Sequence, residues 1–182
     1  MSFYQDFVRI GSKYIGKPKL FKYGFNFSPM YRRSTGRIIS VSPDLLDVKI
    51  KLSLSYKNKN YVSSIFGGSM FSAVDPIPMV QLINLIGEDY VVWDKSAEIF
   101  FKRPAKEHLY AEFSYSLDEL EDIKNRVALE DEIEIFKTTL LTNKDKSNTF
   151  CEVKKTIYIA NKNFFKEKRR KQKANNNRST HP

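Results

Sequence analysis

Ile65 to Ile86 reads IFGGSMFSAVDPIPMVQLINLI, and Asp75 is the only ionisable side chain in it. Ser64 fits the N-cap and Gly87 the C′ position, so the segment carries the start and stop signals of one helix. Its apolar residues (among them Met70, Val74, Ile77, Leu82 and Ile86) cover every side of the helix, which predicts a helix enclosed by protein. Pro76 and Pro78 lack an N–H and clash with the preceding turn, so a kink is expected just after Asp75. A carboxylate in such surroundings must be neutral with a raised pKa, held by hydrogen bonds, or open to a substrate channel. We expect the channel; the alternative is that Asp75 caps backbone groups freed by the prolines.

Working outward, period-two alternation places Leu46, Val48, Ile50, Leu52, Leu54 and Tyr56 on one face of a half-buried strand with Lys49 and Lys51 on the other. A short strand, Gly36 to Val41, precedes it. After the central helix, Tyr90 to Arg103 reads as a long strand ended by Pro104, and Leu109 to Tyr115 as the next, the two forming a hairpin. Ser116 and Glu119 form a capping box that starts one or two helical turns. Glu132 to Leu141 and Thr149 to Ile159 form a second hairpin around Asn143 to Asn148. Phe3, Phe7, Ile10 and Tyr14 predict a helix over residues 2–15, and the ring-rich stretch Lys17 to Arg33 an irregular arm packed by its aromatics.

Composition bounds the rest. The chain of 182 residues, 41% hydrophobic, can bury one core. We divide it into the helix and arm at 1–33, a core domain at 34–161 and a basic, flexible tail at 162–182. The tail holds eight basic residues against Glu167, so seven of the ten net positive charges belong to it. A solvated terminus is the commoner reading of such a run; nucleic acid is not the expected partner. Asp75 and the prolines interrupt the longest apolar run and no h-region opens the chain, so a cytoplasmic protein without a membrane span is expected. One cysteine, Cys151, and two histidines exclude an intramolecular disulfide, a Cys-based zinc site and a His-rich metal site. No Ser-His-Asp or Cys-His set can be built.

An antiparallel sheet curled around one apolar helix is the hotdog architecture, an α+β fold. Asn60-x-x-Ser63-x-x-Phe66-Gly67-Gly68 followed seven residues later by Asp75 resembles the motif of hotdog-fold acyl-CoA thioesterases. Ser63 stands where that motif usually has Gly, and Phe66 where it has His. With VVWDKSAEIFFKRP downstream, the nearer resemblance is to a thioesterase-like branch most of whose members have no assigned activity.

The resemblance implies hydrolysis of acyl-CoA or acyl-carrier thioesters by a homodimer or a dimer of dimers. It needs no metal and no cofactor beyond the CoA of the substrate. In that reading Asp75 activates water or attacks the thioester, Gly67, Gly68 and Ser69 donate N–H groups to the oxyanion, and Asn60 orients the carbonyl. Asp75 lies about 10 Å along the helix from the glycines, too far for one protomer to grip a single carbonyl with both. Antiparallel helices in a dimer would bring one protomer's acid to the other's glycine turn. Phe66 would line an acyl site and suit long chains, Ser72 could orient a water, and Lys57, Lys59, Lys102 and Arg103 are candidate partners for phosphates. Asp94, Lys95 and Glu98 are candidates for ordering the site from the partner chain, though an ordinary ion-paired strand entrance is the simpler reading. Two competing functions are a non-catalytic acyl-binding protein and a tail-driven nucleic-acid or membrane-surface module.

Overall fold

The computed structural model describes residues 16–179, so the helix read at residues 2–15 lies outside the described residues. Lys17 to Arg33, expected as an irregular arm, is instead two helices, α1 (Lys17–Phe27) and α2 (Pro29–Arg33). Pro18 and Pro29 sit in first turns, where the missing N–H has no intrahelical partner to lose. The rings mark a helix face: Phe21 packs on Phe25 at 4.9 Å, and Tyr31 meets Phe25 edge-on at 5.2 Å. Asn26, read as a turn residue, exchanges two hydrogen bonds of 2.9 Å with the Ile38 backbone and so ties α1 to the sheet.

Six antiparallel strands form that sheet: β1 (Gly36–Val41), β2 (Asp47–Leu52), β3 (Tyr90–Phe101), β4 (Leu109–Ser114), β5 (Glu132–Thr142) and β6 (Thr149–Asn161). Their order is β1-β2-β4-β5-β6-β3. The expected hairpin between β3 and β4 is therefore absent. β3 pairs with β6 from Tyr90↔Asn161 to Phe101↔Cys151, a ladder longer than β4 could offer, and the connection past Pro104 crosses to the far half of the sheet. The Ile65 N–H anchors that crossing by donating to Ala105 O at 2.8 Å. The β5–β6 hairpin forms as expected. β4 and β5 meet in register only at Tyr110↔Thr142, so the sheet is nearly split there.

Wrapped by the sheet is a helix in two pieces, α3 (Gly67–Val74) and α4 (Pro76–Ile86), broken at Asp75 as the prolines require. It begins at Gly67 with Phe66 as N-cap, two residues later than Ser64 would have it, because the Ser64 N–H and hydroxyl are both bonded to Asn60 Oδ1 in the preceding loop. Gly87, at φ 97°, ends it. Three side chains tie the break to its surroundings: Tyr31 donates to Ala73 O (3.0 Å), Lys155 to Asp75 O (2.5 Å) and Tyr115 to Pro78 O (3.0 Å).

Helix α5 (Leu117–Glu130) starts at the capping box, Ser116 Oγ accepting from the Glu119 N–H at 3.0 Å, and buries Leu120, Ile123 and Val127. The basic tail is helical rather than without structure: α6 (Lys162–Ser179) continues from β6. Asn161 Oδ1 accepts from the Asn163 N–H at its start, Phe165 packs edge-on to Trp93, and Lys168 pairs with Glu132. The interior divides into two apolar clusters, one around α3 with Ile50, Ala111 and Val153, the other around the end of α4 with Ile123, Ile157 and Ile159.

Candidate functional site

The boundary between the two clusters is polar. Along β6 the inward residues are Cys151, Val153, Lys155, Ile157 and Ile159, and Lys155 alone among them carries charge. A side chain at that position meets the helix where it breaks. Lys155 is 2% exposed, and its Nζ lies 2.8 Å from Asp75 Oδ1 and 2.5 Å from Asp94 Oδ2. A bulge at Lys95 in β3 puts Asp94, opposite Ile157, and Ala97, opposite Lys155, on the same inner face. Without it the alternation would carry Ala97, Ile99 and Phe101 to the outer face.

Two carboxylates thus share one buried ammonium. Burial pushes the Asp94 carboxyl up from its ordinary range; the Lys155 hydrogen bond and charge oppose this, and the Asp75 charge adds to it. Asp94 Oδ1 is buried with no hydrogen-bond partner. Asp75 differs: its side chain is 39% exposed, Oδ1 takes Lys155, and Oδ2 has no partner among the described residues. The arrangement is a half-open carboxylate held in place from beneath by a buried cation.

At the other end of α3 the Gly67 and Gly68 N–H groups make no hydrogen bond among the described residues. Each glycine lies under a largely exposed phenylalanine ring. A Cβ at Gly67 would lie 2.7 Å from the Phe101 ring, and one at Gly68 2.3 Å from the Phe66 ring. The Ser69 N–H already donates to Phe66 O at 2.9 Å, and Ser72 Oγ donates to Gly68 O at 2.8 Å. Asn60 lies in the loop before α3, its Oδ1 accepting from the Val62 and Ser64 N–H groups and the Ser64 hydroxyl. Phe66 is 59% exposed.

The candidate phosphate partners do not converge. Lys102 pairs with Glu152 and Arg103 donates to Asn148 Oδ1, both at the far end of β3. Lys59 bridges to Ile65, and Lys57 sits over the Tyr56 ring. Lys95 pairs with Glu134 on the outer face, Glu98 is exposed, and His108 Nδ1 accepts from the Leu54 N–H at 3.1 Å. Among the described residues no three His, Cys, Asp or Glu side chains converge as metal ligands would.

Lys155 is the residue that sequence reasoning missed. Its signal was a single lysine breaking the inward half of an otherwise apolar alternation. Lys137, its register partner on β5, is inward too, bonded to Ser114 O and Glu119 and 4.1 Å from the Tyr115 ring centroid.

A six-stranded antiparallel sheet curled around a central helix is a hotdog fold. Solved structures share it. A protein from Pseudomonas aeruginosa described as a probable thioesterase matches over 79% of this chain and 95% of its own, at 16% identity and a TM-score of 0.69. A thioesterase from Haemophilus influenzae matches over 76% and 87%, at 9% identity and a TM-score of 0.56. Zebra fish thioesterase superfamily member 2 matches over 79% and 95%, at 16% identity and a TM-score of 0.54. No curated protein matches the chain. Residues 17–159 match the model of the family described as Domain of unknown function (DUF4442), and the chain belongs to that family.

Proposed function

We propose that the protein hydrolyses acyl thioesters, carried by CoA or a carrier protein, at a site built by two protomers. The observation that carries this reading is the half-exposed Asp75 carboxylate, fixed by buried Lys155 inside an otherwise apolar helix. Lys155 holds one oxygen of Asp75 at 2.8 Å, leaving the other to take a proton from water. That water adds to the thioester carbon and the oxyanion is met by the Gly67 and Gly68 N–H groups. The C–S bond then breaks, and the thiolate leaves and is protonated.

Asp75 and the glycines of one chain lie at opposite ends of α3, so the reading requires a second copy. β3 supports this: it is a twelve-residue edge strand with one side unpaired among the described residues, and such edges pair readily. Ser69, whose N–H is taken, and Asn60, which orders its own loop, support the site from behind. Phe66 covers Gly68 and favours a second reading, acyl binding without turnover.

Thioester hydrolysis over a graded acyl-CoA panel tests the proposal, with wild type beside Asp75→Asn at equal fold and oligomeric size. The variant should lose about 10²-fold or more. Equal rates would sink the mechanism; no turnover by either, with acyl-CoA raising both melting temperatures, selects the binding reading. A mixed dimer of Asp75→Asn with Gly68→Ala should regain activity that neither parent has, since one of its two sites is intact. Absence of such rescue counts against a shared site.

A further inference from the structure

A groove of about 570 Å³ opens between α2, β1 and the chain leaving β2, and Asp75 does not line it. Arg32, Arg33, Arg37 and Lys57 line it, and no acidic residue does. Some of the protein's other cations, Lys49, Lys102, Lys137, Lys146 and Lys168, each meet a glutamate. The three guanidiniums make no carboxylate pair among the described residues; the one hydrogen bond recorded for them runs from Arg37 to its neighbour's carbonyl, Gly36 O, at 2.8 Å. Gathering like charges costs folding energy that a bound polyanion would offset.

The chain is bent to bring them together. Thr35, between Arg33 and Arg37, holds φ 64°, a left-handed conformation that a β-branched residue rarely adopts. Asn58 secures the turn by donating to Thr35 Oγ1 at 2.8 Å. Guanidinium forks match phosphoryl oxygens in pairs, and the groove also presents a flat apolar surface, the ring of Tyr56, 86% exposed. Charge for phosphate beside a ring for stacking fits a nucleoside phosphate better than a bare anion.

We propose that this groove binds a nucleoside phosphate, Arg32, Arg33 and Arg37 holding the phosphates and Tyr56 stacking on the base. Asn58 O also accepts from the Phe66 N–H at 2.8 Å, so the groove and the glycine turn share one loop. On the thioesterase reading, the ligand is the nucleotide end of the substrate's carrier; binding itself does not depend on that reading.

Calorimetry on the full chain tests it with adenosine 3′,5′-bisphosphate, inorganic phosphate and a short single-stranded oligonucleotide as probes. Arg32→Gln/Arg37→Gln is compared with wild type and with Lys106→Gln/Lys124→Gln, which removes the same charge elsewhere. The bisphosphate should bind wild type and the lysine variant alike and the arginine variant roughly tenfold or more weakly. Arg32→Lys/Arg37→Lys, which keeps charge but not the fork, should fall between. No binding, or equal binding by the arginine variant, overturns the proposal, as does an oligonucleotide that binds far more tightly than the bisphosphate.

Kinetics separate the two readings. The arginine variant should raise KM for acyl-CoA with kcat unchanged, and should hydrolyse an acyl-pantetheine thioester, which lacks the nucleotide, as wild type does. Nucleotide binding without any turnover sinks the thioesterase reading and leaves the groove. Turnover without nucleotide binding does the reverse.

Discussion

Lys155 holds two carboxylates together in a place that would otherwise be apolar. Removing its ammonium leaves Asp75 and Asp94 facing each other with no cation between them, so Lys155→Met should destabilise the protein by about 3 kcal/mol in urea unfolding. A stability within error of wild type would mean the ion triplet adds nothing. Asp94 predicts a slope as well. Its folded pKa is raised, so the native state keeps a proton at pH values where the unfolded chain has lost it. Stability from this group is therefore greatest at low pH and falls as pH rises through the folded value. In Asp94→Asn that fall should disappear from the curve of stability against pH; an unchanged slope would assign it to another group.

The central helix is held broken at the scale of whole elements. Prolines remove N–H groups, and side chains from α2, β6 and the segment after β4 take up carbonyls on either side. Tyr115 is 3% exposed and its hydroxyl serves Pro78 O, so Tyr115→Phe leaves a buried acceptor short and should cost about 1 to 2 kcal/mol, read as a lowered urea midpoint. No change would show that water replaces the hydroxyl. The break was legible in the two prolines, and the α5 start in Ser116 and Glu119, because both are local effects. The β3–β4 hairpin was misread because adjacency in sequence favours pairing, while the eleven-residue match of β3 with β6 is a long-range fact that neither strand states alone.

Over the whole molecule the acid limit of stability should be set by ion-paired glutamates. Lys146 and Lys49 hydrogen-bond Glu112 and lower its pKa; Lys168, then Tyr158, do so for Glu132; Lys102 does so for Glu152. A lowered pKa contributes stability above the unfolded value, lost as pH falls through the folded one. The urea midpoint should therefore drop as pH falls below about 4.3, less steeply in high salt. A midpoint that holds steady to far lower pH would show that these pairs are energetically silent.

The sequence by itself determined the α+β hotdog class, the apolar central helix, its break at Asp75 and the glycine turn, since periodicity, proline chemistry and cap residues act within a few positions; that one side of the helix stays open, Ile83 being 40% exposed, it did not show. Only the tertiary structure decided that Lys155 lies beneath Asp75, that a bulge turns Asp94 toward it, and that Arg32, Arg33 and Arg37 surround one groove. Each of those depends on strand register or on a turn that joins residues distant in the chain, and pairing across a sheet is fixed by the sum of many contacts that no single segment carries.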